Sequence, residues 1–279
     1  MTDNQCYCVK NKSITNNHYW VNKAKRAQQA IEWTEKMSEL HSDLIMQCVK
    51  ETKIYDDNNG KSRYYKPSDA EQMPAILLTD EDSVTAICNH TSDEKSAVLN
   101  FASYKYPGGM FLKGSRAQEE CLCHESFLYN VLSNFEDIYY APNRKNLCRA
   151  MYTNRALYSP NVHFYHYSKD ITCDVITCDV ITCAAPNLSA AARYANIDAK
   201  TNSQSLYSRI QFVLDVAACN CVKTLILGAF GCGVFRQNPK EVATIFKQLL
   251  PKYPFKNIVF AIPDKSHDNY KAFEKIFNL

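Results

Sequence analysis

Two adjacent carboxylates, Glu119 and Glu120, stand ten residues after a glycine pair, Gly108 and Gly109, in the stretch NFASYKYPGGMFLKGSRAQEE. A helix start lowers the pKa of such acids, whereas burial and mutual repulsion raise one of them, so a desolvated pair titrates as a coupled unit. That suits general acid/base work. On a helix of about 3.6 residues per turn, neighbouring side chains point about 100° apart, so the two carboxylates cannot play the same role. One is free to face a scissile bond while the other holds the substrate. This division fits glycoside cleavage, in which a carboxylic acid protonates the leaving oxygen as an oxocarbenium-like centre develops. The plain alternative is that acidic residues favour the first turn of any helix.

The elements around the pair are readable. "AVLN" predicts a buried strand ending at Asn100, "YPGGMFLKG" a loop, and Ser115 with Gln118 an S-x-x-Q capping box that starts the helix carrying Glu119 and Glu120. The chain has only 7 glycines, against about 20 at ordinary usage of roughly 7%. Six of them form two clusters: Gly108, Gly109 and Gly114, and then Gly228, Gly231 and Gly233 in "LGAFGCGVF" after a predicted strand. Glycine persists where backbone needs positive φ or close approach, so two special loops are expected to meet at one ligand. The second loop leads to a helix marked by Asn238 as N-cap and Pro239 as first residue, an arrangement that offers backbone N–H groups to a phosphate. "GCGVFR" lacks the last glycine of a dinucleotide fingerprint, and no P-loop is present. A tight turn between packed elements is the plain reading of this loop taken alone.

Other candidate groups carry less. Cys232, inside the glycine loop, is a conceivable thiol nucleophile, with no histidine close in sequence. His124, His163 and His166 read as structural or surface groups. The repeat ITCDVITCDVITC places Cys173, Cys178 and Cys183 five residues apart, so on a strand consecutive cysteines point to opposite faces and a metal cluster is not expected. The 13 cysteines form three C-x-C pairs and no C-x-x-C, which argues for reduced thiols.

The surrounding fold follows from periodicity. Residues 20–50 favour helix and form an expected N-terminal extension, 1–74, packed on a core spanning 75–279. The runs "AILLT", "VTAIC", "AVLNF", "VHFYHY", "CDVITC", "KTLILG" and "NIVFAI" read as strands, with helices near 116–135, 203–219, 239–250 and 268–277. Alternating strands and helices predict an α/β protein with a mixed or parallel sheet covered on both faces. No apolar run approaches the roughly 18 residues of a membrane span, and no secretory signal is evident, so a cytoplasmic or nuclear protein is expected. The net charge of +3 is too small to predict tight nucleic-acid binding, and no sequence-specific nucleic-acid partner is expected. Between Asp137 and Asp170, however, Arg144, Lys145, Arg149, Arg155 and Lys169 face no acidic neighbour in sequence. That stretch is either an anion-attracting surface or an ordinary solvated face.

The motifs "VLNFASYKYPGGMFLKGSRAQEECLCHESFLY", "YTNRALYSPNV", "ITCAAPNL" and "LGAFGCGVFRQNP", in that order, resemble the microbial-type poly(ADP-ribose) glycohydrolases from about Trp20 to the C-terminus. The resemblance implies a macrodomain fold with a helical N-terminal extension, poly(ADP-ribose) or ADP-ribosylated proteins as partners, ADP-ribose as product, and no cofactor or metal. It implies Glu120 as the general acid that protonates the ribose-to-ribose glycosidic oxygen and then activates water. Glu119 and Gln118 would orient ribose and leaving group, with Asn100 and Ser103 lining the same pocket. Gly231, Cys232, Gly233, Val234 and Phe235 would form the diphosphate loop, Phe235 packing on the terminal ribose. Met110 stands where the family has its third glycine after Gly108 and Gly109, and at positive φ a methionine would cost about 1 kcal/mol or more. A non-hydrolysing ADP-ribose reader and a hydrolase of another ADP-ribosyl compound share the fold, since function belongs to the site.

Overall fold

Near-continuous apolar runs give each central strand two buried faces, and a separate helical layer covers each face. The structure, a computed structural model, describes residues 22–57, 63–67, 72–91, 94–165 and 175–279. In chain order the elements are α1 (Lys23–Glu51), β1 (Lys53–Asp56), β2 (Ala75–Thr79), α2 (Ser83–His90), β3 (Ser96–Phe101), α3 (Gln118–His124), α4 (Leu128–Leu132), α5 (Ala141–Lys145), β4 (Arg155–Phe164), β5 (Ile176–Cys183), α6 (Leu188–Tyr194), α7 (Ala199–Cys219), β6 (Thr224–Leu227), α8 (Pro239–Leu249), β7 (Asn257–Ala261) and α9 (Asp268–Phe277). The strands make one sheet in the order β1-β4-β5-β3-β6-β7-β2. From β5 to β2 neighbouring strands are parallel, while β4 runs antiparallel to both β5 and β1. This is the mixed α/β sheet that the periodicity predicts.

Ala97 and Leu99 of β3, Leu225 and Leu227 of β6, and Ile258 and Phe260 of β7 face the core under α7, α8 and α9. Val98, Ile226 and Val259, one residue out of phase, face the core under α1, α2, α3 and α4. Cys178 and Cys183 of β5 divide between these two cores as their five-residue spacing requires; Cys173 and His166 lie outside the described residues. Among the described residues no group of side chains is arranged to hold a metal ion, and no helix is long and apolar enough to cross a membrane.

One expected strand is a helix. "VTAIC" lies within α2, because the Asp82 carboxylate accepts hydrogen bonds from Val84 N (3.0 Å) and Thr85 N (2.8 Å) and so caps a helix whose Val84 and Ile87 share one buried face. The cap and the three-residue spacing override the β preference of valine, threonine and isoleucine. The strand expected at "VHFYHY" begins earlier, at Arg155.

Within the first 74 residues, β1 joins the sheet edge beside β4, and α1 runs across the other motif elements. Trp33 Nε1 donates to Ser126 O (2.8 Å), and Asn130 Nδ2 donates to Thr34 O (2.9 Å) and Ser38 Oγ (2.8 Å). The start of α1 sits directly on the active loop: Arg26 Nε donates to Gly114 O at 2.8 Å. Gly114 has φ +71, and a Cβ there would lie 2.2 Å from Lys23 O and 2.9 Å from Ala27 N. Gly114→Ala should therefore push α1 off the loop and lower unfolding stability by roughly 2 kcal/mol or more, read from urea denaturation. An unchanged midpoint would show that this close approach does not fix the helix.

Candidate active site

The carboxylate pair sits at the C-terminal end of β3, the central strand between β5 and β6. In open α/β sheets this edge is where ligands bind. Side-chain hydrogen bonds, rather than sheet ladders, hold the start of α3 against it. Gln118 Oε1 accepts from Phe101 N (2.8 Å), while its Nε2 donates to Leu99 O (2.9 Å) and to Ser83 Oγ (3.1 Å). Gln118 thus clips α3 to β3 and α2. The expected Ser115–Gln118 box does not form: the N-cap is Ala117, which has no capping side chain, and Glu120 Oε2 reaches back to accept from Ala117 N at 2.9 Å.

Glu119 and Glu120 are both buried. Glu119 Oε2 accepts from Ser103 N (2.7 Å) and its Oε1 lies 3.4 Å from Asn100 Nδ2, which also donates to Thr182 Oγ1. Glu120 Oε1 accepts from Met110 N at 2.9 Å. The two side chains therefore diverge, one toward the strand end and one toward the loop, as their 100° separation predicts. They converge again above Gly109, where a Cβ would lie 2.7 Å from Glu120 Oε1 and 2.8 Å from Glu119 Oε2. Only glycine fits there, at φ +60. Burial, reinforced by the neighbouring Glu120 charge, holds the Glu119 carboxyl well above the usual range despite the opposing Ser103 and Asn100 hydrogen bonds.

Met110 is not strained. It has φ −112 and ψ 30 and an exposed side chain, so its position makes no demand for glycine; the left-handed conformations belong to Gly108 and Gly109. Phe111 anchors the rest of the loop by inserting beside His124 and Tyr129, with ring centroids 4.7 and 5.2 Å away. His124 is a buried packing partner whose pKa is pushed down to about 4, first by burial and then by Arg26. His163, lowered by burial, packs on Phe127.

The second glycine loop leaves β6 and passes the same sheet edge. Gly228 lets it approach β7, since a Cβ would lie 2.7 Å from Ala261 O. Gly231 turns at φ +77 against Ala185. A Cβ on Gly233 would meet nothing within 4 Å, so the protein itself gives no reason for glycine there. Asn238 caps α8 through Lys240 N, with Pro239 first, as expected. Cys232 is no activated thiol: burial pushes its pKa up to about 12.

A cavity of about 450 Å³ lies between this loop and α3, lined by Gln118, Gly231, Gly233, Val234 and Phe235 of the predicted set. Its other wall comes from residues that no motif singled out: Asp82, Phe101, Ile262, Pro263, His267 and Asn269. The one sequence signal for them is position, just after β3 and β7 and at the starts of α2 and α9. Asn100, Ser103, Gly108, Gly109, Met110, Cys232, Glu119 and Glu120 are not among its lining residues; Asn100, Ser103, Gly109 and Met110 gather instead around the two carboxylates. The basic stretch disperses. Arg144 pairs with Glu136, and Arg155 with Asp56 at 2.9 Å, while Lys169 lies outside the described residues.

A mixed seven-stranded sheet with a carboxylate pair held beyond the end of β3 and a glycine loop leaving the adjacent parallel β6 is a macrodomain-like α/β architecture. Residues 11–167 match the family described as microbial-type PARG, catalytic domain. The chain belongs to that family, glycohydrolases acting on poly(ADP-ribose). Among solved structures it is similar to the poly(ADP-ribose) glycohydrolase of Thermomonospora curvata bound to the inhibitor ADP-HPD, at 28% identity and TM-score 0.77, covering 90% of this chain and 99% of that one. It is also similar to the Deinococcus radiodurans enzyme in complex with ADP-ribose, at 32% identity and TM-score 0.72, covering 84% and 96%. No curated protein sequence matches.

The raised Glu119 has a stability consequence. Folded protein keeps this proton to higher pH than the unfolded chain does, so the contribution is fully present below the ordinary glutamate pKa and is lost as pH rises through the raised value. Glu119→Gln should thus be more stable than the parent at about pH 8, with the difference shrinking toward about pH 4, in urea titrations at several pH values. Parallel curves for the two proteins would refute the burial account. Met110→Gly, which relieves no strain, should change neither stability by more than about 1 kcal/mol nor turnover by more than about threefold; a large gain in turnover would show that the methionine obstructs the site.

Proposed function

We propose that the protein is an exo-acting poly(ADP-ribose) glycohydrolase that releases terminal ADP-ribose, with Glu120 as general acid/base. The observation that carries this reading is the convergence of both carboxylates on the point above Gly109, beside a cavity large enough for one nucleotide-sized unit. In this reading the Glu120 carboxyl gives its proton to the ribose-to-ribose oxygen as the bond from the anomeric carbon to that oxygen breaks. Water then attacks the anomeric carbon and returns a proton to Glu120. Glu119, held by Ser103 N and Asn100, orients the terminal ribose. Its burial holds the Glu119 carboxyl well above the usual range.

The loop from Gly231 to Phe235 takes the diphosphate. A glycine with open space around it, Gly233, suits close approach of a ligand to backbone N–H groups, and in this reading Phe235, on the wall of the same cavity, packs on the ribose. The apolar wall of Phe101, Ile262 and Pro263, with Asp82 and Asn269 as polar groups, suits the adenine. The bound inhibitor and ADP-ribose of the two relatives are consistent with this occupant.

Incubation of purified protein with poly(ADP-ribose), followed by chromatography of released ADP-ribose, tests the reading. Glu120→Gln should lower release by about 10³-fold while ADP-ribose binding by calorimetry is retained. Hydrolysis by the variant at the parent's rate would remove Glu120 from its role. Binding without release by the parent would make the protein a reader.

A further inference from the structure

A second, open cleft of about 790 Å³ shares no lining residue with the 450 Å³ cavity. Three cations line it, Lys105, Arg149 and Arg193, together with Tyr152 and Tyr194 and no acidic side chain. They come from three separate segments. Among the described residues, neither Lys105 nor Arg193 has a carboxylate partner, and Arg149 donates only to the backbone carbonyls of Ala195 (2.6 Å) and Asn196 (3.3 Å); the exposed Asp198 feels the Arg149 charge but makes no ion pair with it. Tyr194 is 84% exposed, the most exposed large apolar side chain described.

The cleft is linked to the carboxylates through one residue. Lys105 follows Ser103 by two residues, its N–H bonded to Ser103 Oγ at 3.2 Å, and Ser103 N in turn holds Glu119. Tyr152 stacks on Tyr104 with centroids 4.1 Å apart and meets the edge of Phe235 at 6.2 Å. The floor is strained: Cys148, Arg149, Ala150 and Tyr152 all have positive φ although none is glycine. Such backbone persists only where its surroundings over-determine it. Here Asn187 N donates to Ala150 O (2.9 Å) and Arg209 Nη2 to Met151 O (3.2 Å).

We propose that this cleft is a second nucleotide subsite, which takes the ADP-ribosyl unit on the leaving side of the scissile bond. The inference rests on the glycohydrolase reading for the identity of that unit. The diphosphate lies against Lys105, Arg149 and Arg193, where clustered cations favour phosphate oxygens. The adenine packs on the exposed face of Tyr194. On this proposal the first cavity takes the terminal unit and the cleft the next one, the two being linked through Phe235, which lines the first and meets Tyr152 of the second, and through Ser103, which joins Lys105 to Glu119. A substrate of two linked units should therefore bind more tightly than one.

The test compares ADP-ribose with its O-glycosidically linked dimer by calorimetry on Glu120→Gln, at low and moderate salt. The dimer should bind about tenfold more tightly, with a gain that falls as salt rises. Arg193→Glu should reduce the gain to under about twofold while leaving ADP-ribose affinity unchanged, and Arg193→Lys should keep most of it. In the otherwise unaltered chain, Arg193→Glu should raise KM for polymer about fivefold at constant kcat. A dimer that binds no better than ADP-ribose, or a gain that survives Arg193→Glu, overturns the subsite. So does equal competition by an adenylate RNA of matching charge, which would mark a general polyanion surface. Polymer turnover without a dimer gain defeats the subsite alone, whereas a dimer gain without turnover defeats only the hydrolytic reading.

Discussion

The side-chain amide of Gln118 is the constraint on which the rest of the site depends. β3 runs to Phe101, but its pairing with β6 stops at Val98, and the backbone N–H and C=O past the last pair need partners from elsewhere. Gln118 supplies both, accepting from Phe101 N and donating to Leu99 O, with Ser83 Oγ as a third contact. A short helix that the sheet could not otherwise grip is thereby fixed at its first residue. The next two residues are the carboxylates. Their placement relative to Asn100 and Ser103 follows from this clip and from the 100° step between neighbours on a helix. The amide is thus used by the protein itself, to hold α3 against β3 and α2.

Burying two carboxylates side by side opposes folding, since desolvation and like charge both disfavour ionisation. The loop answers with backbone donors. Ser103 N serves Glu119, and Met110 N and Ala117 N serve Glu120. For Met110 N to point inward, the chain must turn sharply just before it, and Gly108 and Gly109 make that turn at φ +61 and +60. Once the turn is complete, the next residue returns to ordinary φ, so methionine stands there without strain. The glycine requirement therefore ends at Gly109, where a Cβ would strike both carboxylates. Close approach, as much as dihedral angle, dictates the motif.

What was legible in the sequence were features set by local rules. The alternation of Ala97, Val98 and Leu99 gave the central strand, Asn238 and Pro239 the start of α8, and the two glycine clusters the two loops that meet at one edge. What was not legible depends on tertiary partners. "VTAIC" reads as a strand until Asp82 is seen to cap it. Ser115 and Gln118 have the spacing of a capping box, but Gln118 is captured by β3 and the cap shifts to Ala117. The wall formed by Phe101, Ile262, Pro263 and His267 has no motif because apolar shape, not a reactive group, defines it. The basic stretch read as one surface, yet the chain folds Arg144 and Arg155 back onto Glu136 and Asp56.

A second buried network explains how the far side of the site is held. Arg209, nearly inaccessible on α7, donates to Asn154 Oδ1 (2.6 Å), to Met151 O and to Ala184 O. Asn154 in turn donates to the buried Asp57 at 2.6 Å. Opposite charges are thus linked through one amide rather than by direct contact, and every bond in the chain is charge-assisted. Such a network adds little net stability, because desolvation offsets most of the attraction. Its effect is geometric. It ties the end of β1 to the strained turn at 148–152 and to Ala184, next to the Ala185 on which Gly231 packs. The two glycine loops, the carboxylates and the basic cleft are therefore tied to one edge of the sheet, the kind of support that holds a site's side chains in fixed geometry.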